Sequence, residues 1–181
     1  NANGQFGTGE TSNPKRPVEV IPSDVAAGSP SKFGYVLKSN DALLYHGNAV
    51  PAASPEQYLP SGVLQVANPY VKLVYLKDDG SLWRLKTHPR VDEELVSSGV
   101  AVVAGPNGWP GGHALFIMEN GSLWGFGLNN YGQIGDGTTT DRDDPFQIVA
   151  SEVVTAAASG SHSLFIKTDG SLWAMGRNQY G

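Results

Sequence analysis

Asp79-Gly80-Ser81-Leu82-Trp83, Asn120-Gly121-Ser122-Leu123-Trp124 and Asp169-Gly170-Ser171-Leu172-Trp173 are three copies of one pentapeptide. A worn relative, Asn40-Asp41-Ala42-Leu43-Leu44, precedes them. The four starting positions lie 39, 41 and 49 residues apart. Self-similarity at that period is the mark of one supersecondary unit repeated along the chain, as in propellers and solenoids.

Working outward, each copy is preceded by an apolar run: Tyr35-Val36-Leu37, Val74-Tyr75-Leu76, Leu115-Phe116-Ile117 and Leu164-Phe165-Ile166. Two short apolar runs joined by Asp-Gly or Asn-Gly predict a β-hairpin, because both central positions of the tight turn need positive φ. The runs are nearly continuous and do not alternate, which fits sheets covered on both faces. Upstream lie small-residue stretches, clearest in Ala101-Val102-Val103-Ala104-Gly105 and Thr155–Gly160. Small side chains suit strands crowded at the inner edge of a blade. A glycine follows the hairpin at Gly47, Gly127 and Gly176, where the second copy has Lys86. Residues 1–22 align without a gap on residues 129–150, and Asn178-Gln179-Tyr180-Gly181 opens a further copy. The repeats run about 1–47, 48–86, 87–128 and 129–178, in one repeat-array domain over 1–181.

These residues carry a resemblance. The pattern N-x-x-G-Q-[FIL]-G-x-G-x-T, then P-x-x-[IV], G-x-H-[SA]-L-[FI] and D-G-S-L-W-x-x-G resembles the repeat of the regulator of chromosome condensation family, its bacterial versions most. The match is strong over 1–47 and 106–181 and weak over 48–105, where only the Lys77–Trp83 turn survives. The resemblance implies an all-β fold: β-propeller blades of about four antiparallel strands, usually seven blades. Four repeats imply part of a larger ring, a small closed ring, or rings completed between chains.

Composition narrows the functional classes. A chain of 181 residues with net charge −5 and scattered basic residues does not read as a nucleic-acid binder. Without cysteine there is no disulfide, thiolate metal site or cysteine nucleophile. Zero Cys suits a cytosolic or a bacterial extracellular protein, the latter weakly favoured. No apolar run is long enough to span a membrane. The chain opens at Asn1 with neither Met nor signal peptide, as a processed or excised segment does. Gly4–Gly9 precedes an extended Pro-containing segment, so it lacks the helix N-terminus of a phosphate cradle.

The candidate residues divide into those locked to the repeat and those that depart from it. His113 and His162 share one repeat position and read as structural hydrogen bonders, not as a metal pair. Trp83, Trp124 and Trp173 could offer stacking platforms, yet repeat-locked aromatics read as packing. Asp136–Asp144 is an acidic loop whose spacing is not the EF-hand pattern. Ser161-His162-Ser163 places neighbours on opposite faces of a strand and forms no catalytic pair. The binding candidates are the departures: Trp109 in the Gly/Pro insertion 105–112, Tyr58 in the insertion 48–60, and Tyr45 and His46 in the first copy.

No catalytic residue, metal or cofactor is expected. The leading reading is a non-enzymatic protein-interaction or assembly module whose partner is a protein, including another copy of itself. The alternatives are a guanine-nucleotide exchange regulator of a small GTPase, as the resemblance implies, a glycan-binding lectin or inhibitor of a secreted enzyme, and a subunit of a self-assembling fibre.

Overall fold

The computed structural model describes residues 23–29, 33–47, 56–59, 61–67, 72–87, 90–105 and 112–179. Fifteen strands and no helix occur among them. They form four antiparallel sheets in which chain order and spatial order coincide. The first contains β1 (Val25–Ser29), β2 (Phe33–Lys38), β3 (Leu43–Gly47) and β4 (Glu56–Leu59). The second contains β5 (Val63–Ala67), β6 (Lys72–Lys77), β7 (Leu82–Thr87) and β8 (Arg90–Val96). The third contains β9 (Val100–Ala104), β10 (His113–Met118), β11 (Leu123–Gly127) and β12 (Arg142–Val149). The fourth contains β13 (Val153–Ala158), β14 (His162–Lys167) and β15 (Leu172–Gly176).

The chain divides into two compact units, residues 1–64 and 65–181, the division falling within β5. The first unit holds the β1–β4 meander. Tyr35, Leu37, Ala42 and Leu43 are its buried apolar residues, and burial pushes the Tyr35 phenol pKa up. The second unit holds the remaining three sheets, stacked through two apolar clusters. Val74, Leu76 and Leu82 pack with Val100, Val103, Phe116 and Phe126 between the second and third sheets. Leu115, Ile117 and Leu123 pack with Val153 and Phe165 between the third and fourth. A strand buried on both faces has no polar face to alternate, which explains the unbroken apolar run of β10.

The hairpins form as expected, but only one of the two central turn positions is left-handed, since Asp79, Asn120 and Asp169 keep negative φ and the Gly80 N–H closes the turn on the Lys77 carbonyl at 3.1 Å. Gly80, Gly121 and Gly170 take φ of 76°, 77° and 84°, and Asp41 takes 60° in the worn copy. A second left-handed residue precedes each inner strand: Asp24 at 62°, Gly62 at 81°, Gly99 at 78° and Glu152 at 72°. This position recurs because the chain must bend there from one sheet into the next. Glu152 is exposed and non-glycine, so it carries left-handed strain without a packing reward. Glu152→Gly should therefore stabilise the fold by about 0.5 kcal/mol, the strain relief partly offset by added freedom in the unfolded chain. Thermal unfolding of the two proteins checks it; a lower melting temperature for the variant would contradict this account.

The small-residue stretches lie where close approach requires them. β9 and β13 are edge strands of adjacent sheets and touch one another. The Gln65 side-chain carbonyl accepts a hydrogen bond from the Val103 N–H at 3.0 Å, capping a donor on the otherwise open edge of β9.

The second sheet completes four strands although its sequence departs most from the pattern. Its register opens on Lys72 opposite Lys86, where the third and fourth sheets pair His113 with Gly127 and His162 with Gly176. Arg84 stands where β11 has Gly125, opposite Val74 in its own sheet. It is 3% exposed; its guanidinium donates to Glu93 and to the Asp143 carbonyl, the latter at 2.6 Å. A long charged side chain thus ties the second sheet to the third where no glycine-rich loop follows the hairpin.

Candidate functional site

The pentapeptide is a small hydrogen-bonded machine for fixing its own tryptophan. Asp79 Oδ1 accepts from Ser81 N at 2.9 Å and from Ser81 Oγ at 2.5 Å. Ser81 Oγ in turn accepts from Trp83 Nε1 at 2.7 Å. Asp169, Ser171 and Trp173 repeat the chain at 2.9, 2.6 and 2.8 Å. Asn120, Ser122 and Trp124 keep the backbone and indole bonds at 3.0 and 2.9 Å. The hydrogen bonds from Ser81 and Ser171 hold the Asp79 and Asp169 carboxyls below the usual carboxylate range. Trp124 stacks on Phe116 and Trp173 on Phe165, with ring planes 12° and 8° apart. Each indole is therefore oriented by its own turn and by the neighbouring strand.

The glycine-rich signature is the loop between β11 and β12, folded around one buried side chain. Asn129 Nδ2 donates to Asp136 Oδ1 and to the carbonyls of Thr138 and Thr140, at 3.0 to 3.1 Å. Its Oδ1 accepts from Ile134 N at 2.9 Å. Burial alone would raise the Asp136 pKa; hydrogen bonds from Thr138, Arg142 and Asn129 outweigh that and hold it at about 2. The acidic loop thus spends this carboxylate on its own architecture. Thr140, Asp141 and Asp144 remain exposed.

This loop also closes the junction between the third and fourth sheets. Ser163 Oγ donates to the Gln133 carbonyl at 2.9 Å and accepts from His113 Nε2 across the sheets. All three residues are at most 2% exposed. The tautomer with the proton on Nε2 leaves His113 Nδ1 buried without a partner. Burial, reinforced by the charge of nearby His162, lowers the His113 pKa to about 4. Sequence reasoning gave the histidine a structural role but missed Ser163 as its partner. A serine directly follows His162 and no other repeat's equivalent residue, and that difference was the available signal. A His–Ser contact suggests acyl chemistry, but this hydroxyl proton is committed to a carbonyl and the pair has no opening for substrate.

Among the described residues no strand covers the face of the fourth sheet turned away from that junction. β14 alternates strictly: Ser163 and Phe165 are buried, whereas His162, Leu164 and Ile166 are exposed. Leu164 and Ile166 are each 37% exposed and Leu172 is 64% exposed. Their equivalents in the third sheet, Leu115, Ile117 and Leu123, are 0%, 4% and 0% exposed. A groove of about 680 Å³ runs along this face between Ser161–Leu164 and Ala174–Gln179. Among the described residues no group of three or more His, Cys, Asp or Glu side chains is placed to hold a metal, and no helix is long and apolar enough to cross a membrane.

Of the binding candidates read from the sequence, Tyr45, His46 and Tyr58 belong to the first unit. Trp109 lies outside the described residues. Tyr58 sits on β4, so residues 56–59 supply the outer strand of the first sheet where an insertion loop was expected. Tyr45 and His46 lie on β3 opposite Tyr35 and Gly34. The groove residues were passed over because they belong to the repeat. A repeat residue is buried wherever another sheet follows, and sequence alone does not show which copy is left open.

Comparison with known proteins agrees with this geometry. The regulator of chromosome condensation (RCC1) repeat model matches residues 120–166, and a second model of the same description matches residues 153–181. No curated protein sequence matches the chain. Among solved structures it is similar to Prp20p from Saccharomyces cerevisiae, at 16% identity and a TM-score of 0.68 over 82% of this chain and 42% of that one. The structure of Prp20p was reported together with its binding properties to Gsp1p and histones. The chain is also similar to yeast RCC1 (Prp20) in its complex with Kap60, at 17% identity and a TM-score of 0.66 over 82% and 41%. Human WBSCR16 gives 18% identity and a TM-score of 0.65 over 80% and 45%. RCC1 repeats are thus matched over residues 120–181, the fold is similar to that of these structures, and the chain spans under half their length.

Proposed function

We propose that this chain is a non-enzymatic protein-interaction module. One observation supports the reading most: RCC1 repeats match residues 120–181, and the fold is similar to that of Prp20p, whose structure was reported with its binding properties to Gsp1p and histones. The site chemistry supports binding over turnover, since its one His–Ser pair is sealed and its carboxylate Asp136 is held within the loop.

The solved neighbours supply two partners to test, Gsp1p and histones. Binding of this chain to Gsp1p and to core histones should be measured by titration calorimetry, with release of a fluorescent guanine nucleotide followed in parallel. Saturable binding without faster release is the expected result. Release accelerated tenfold or more would move the reading to nucleotide exchange. Absence of binding to both proteins would remove these partner classes.

A further inference from the structure

We propose that Asn120 is a site of covalent modification: its side-chain amide is lost to attack by the Gly121 nitrogen, which places a new carboxylate at the turn where the third sheet meets the fourth.

The dipeptide supplies the reacting groups. A peptide nitrogen that follows asparagine can attack the side-chain carbon Cγ, and glycine leaves that nitrogen unshielded because it has no Cβ. Here the glycine is fixed by the fold. Gly121 has φ of 77°, and a Cβ on it would lie 3.0 Å from the Glu152 backbone nitrogen. The turn cannot exchange it for a shielding residue. Asn120 itself is exposed, so water reaches the amide.

The turn supplies the geometry. The Ser122 N–H donates to Asn120 Oδ1 at 3.0 Å, and a side chain held that way reaches back past the intervening Gly121 nitrogen. The same N–H faces the oxygen on which negative charge develops as the nitrogen adds to Cγ. The sister turns show that this cradle favours an anion. Asp79 and Asp169 hold the same place and accept from the matching serine N–H at 2.9 Å each, and the serine hydrogen bonds keep both carboxyls below their ordinary range. The Gly121 N–H is held by the Met118 carbonyl at 2.8 Å, so reaction waits on opening of that bond and on base.

The step balances with water alone. The Gly121 N–Cγ bond forms as the Cγ–Nδ2 bond breaks, and the Gly121 proton leaves with the amide nitrogen as ammonia. One water then opens the five-membered imide at either carbonyl. The products are aspartate, or isoaspartate in which the main chain runs through the side-chain carbon.

The product meets different surroundings from its sisters. Lys77 and Lys167 stand two residues before Asp79 and Asp169 and attract them. The third copy has Met118 there, with Glu119 adjacent. The new carboxylate therefore arrives without that cation. It also lies next to the Gly121 carbonyl, which accepts the Val153 N–H at 3.0 Å and ties the third sheet to the fourth. The extra backbone carbon of isoaspartate displaces this carbonyl.

Incubation of the full chain at 37 °C and pH 7, 8 and 9, followed by peptide mass analysis, tests the proposal. The peptide containing Asn120 should gain about 1 Da as its amide is exchanged for a carboxyl, and the folded chain should become one charge more negative than −5. The rate should rise about tenfold per pH unit, as the fraction of deprotonated nitrogen does. Chain unfolded in urea provides the reference in which the turn is absent. Asn120→Gln keeps an amide, lengthens the side chain, and should abolish the shift in that peptide. In the isoaspartate form, separated by ion exchange and identified by isoaspartyl methylation, the Val153 amide should exchange its hydrogen at least tenfold faster. An Asn120 amide that stays intact in the folded chain while the unfolded reference converts, a rate independent of pH, a shift that survives Asn120→Gln, or an unchanged Val153 amide would each overturn the proposal.

Discussion

Gly127→Ala should cost about 4 kcal/mol, a large fraction of the stability of an ordinary domain. Gly127 closes β11 opposite His113 with φ of 109°, a region that L side chains rarely adopt. A Cβ placed there would lie 2.7 Å from His113 Cα and 2.8 Å from the Gly112 carbonyl oxygen. Both obstacles are backbone, so no rotamer change relieves them. The strain and the overlap each contribute roughly 1–3 kcal/mol. Gly176 repeats the arrangement with the same φ, its Cβ meeting the Ser161 carbonyl oxygen and His162 Cα.

A graded series separates the two contributions. Gly137 has φ of 79° but nothing within 4 Å of an added Cβ, so Gly137→Ala should show the backbone strain alone, about 1 kcal/mol. Gly160 has open space around it and no positive φ, so Gly160→Ala should be near neutral. Urea unfolding midpoints should fall in the order Gly160→Ala, Gly137→Ala, Gly127→Ala. An equal loss for Gly127→Ala and Gly137→Ala would show that the packing argument is wrong. Lys86 occupies the matching place in the second sheet because the connection to β8 is short. The glycine is required where the chain must leave the hairpin into the long loop folded around Asn129.

That contrast shows where the sequence was readable. The hairpins, the all-β class and the inner position of the small-residue strands follow from local rules: turn chemistry at Gly80, Gly121 and Gly170, apolar runs before them, and close approach at β9 and β13. The second sheet was obscured because Arg84 and Gln65 make links that no repeat signature encodes. The His113–Ser163–Gln133 junction joins residues from different repeats, and its distances depend on how two sheets stack. Leu164, Ile166 and Leu172 carry the letters of a core. Their exposure depends on the absence of a covering strand among the described residues, which is a fact about neighbours and not about the residues themselves.

The junction also sets the largest expected response to pH. Lowering the pH from about 6.5 to about 4 should remove roughly 3 kcal/mol of stability. His113 has a folded-state pKa of about 4, against an ordinary value of 6.5, because burial excludes the charged ring and His162 adds repulsion. In this window the unfolded chain binds the proton and the folded protein does not, so acid favours unfolding. The contribution is fully present above the ordinary value and disappears as pH falls through the window. The protonated ring would bury a charge with Nδ1 as a second donor and no acceptor. The carboxylates act later: Asp79, Asp136 and Asp169 have lowered values, so their contributions are lost below about pH 4, as their unfolded-state counterparts take up protons first. Two acid transitions of different origin are thus expected. The melting temperature should fall by roughly 10 °C between pH 7 and pH 4. His113→Gln keeps an amide donor for Ser163 and cannot titrate, so it should flatten the upper transition and leave the lower one intact. An undiminished slope between pH 6.5 and 4 in that variant would assign the acid response to another group.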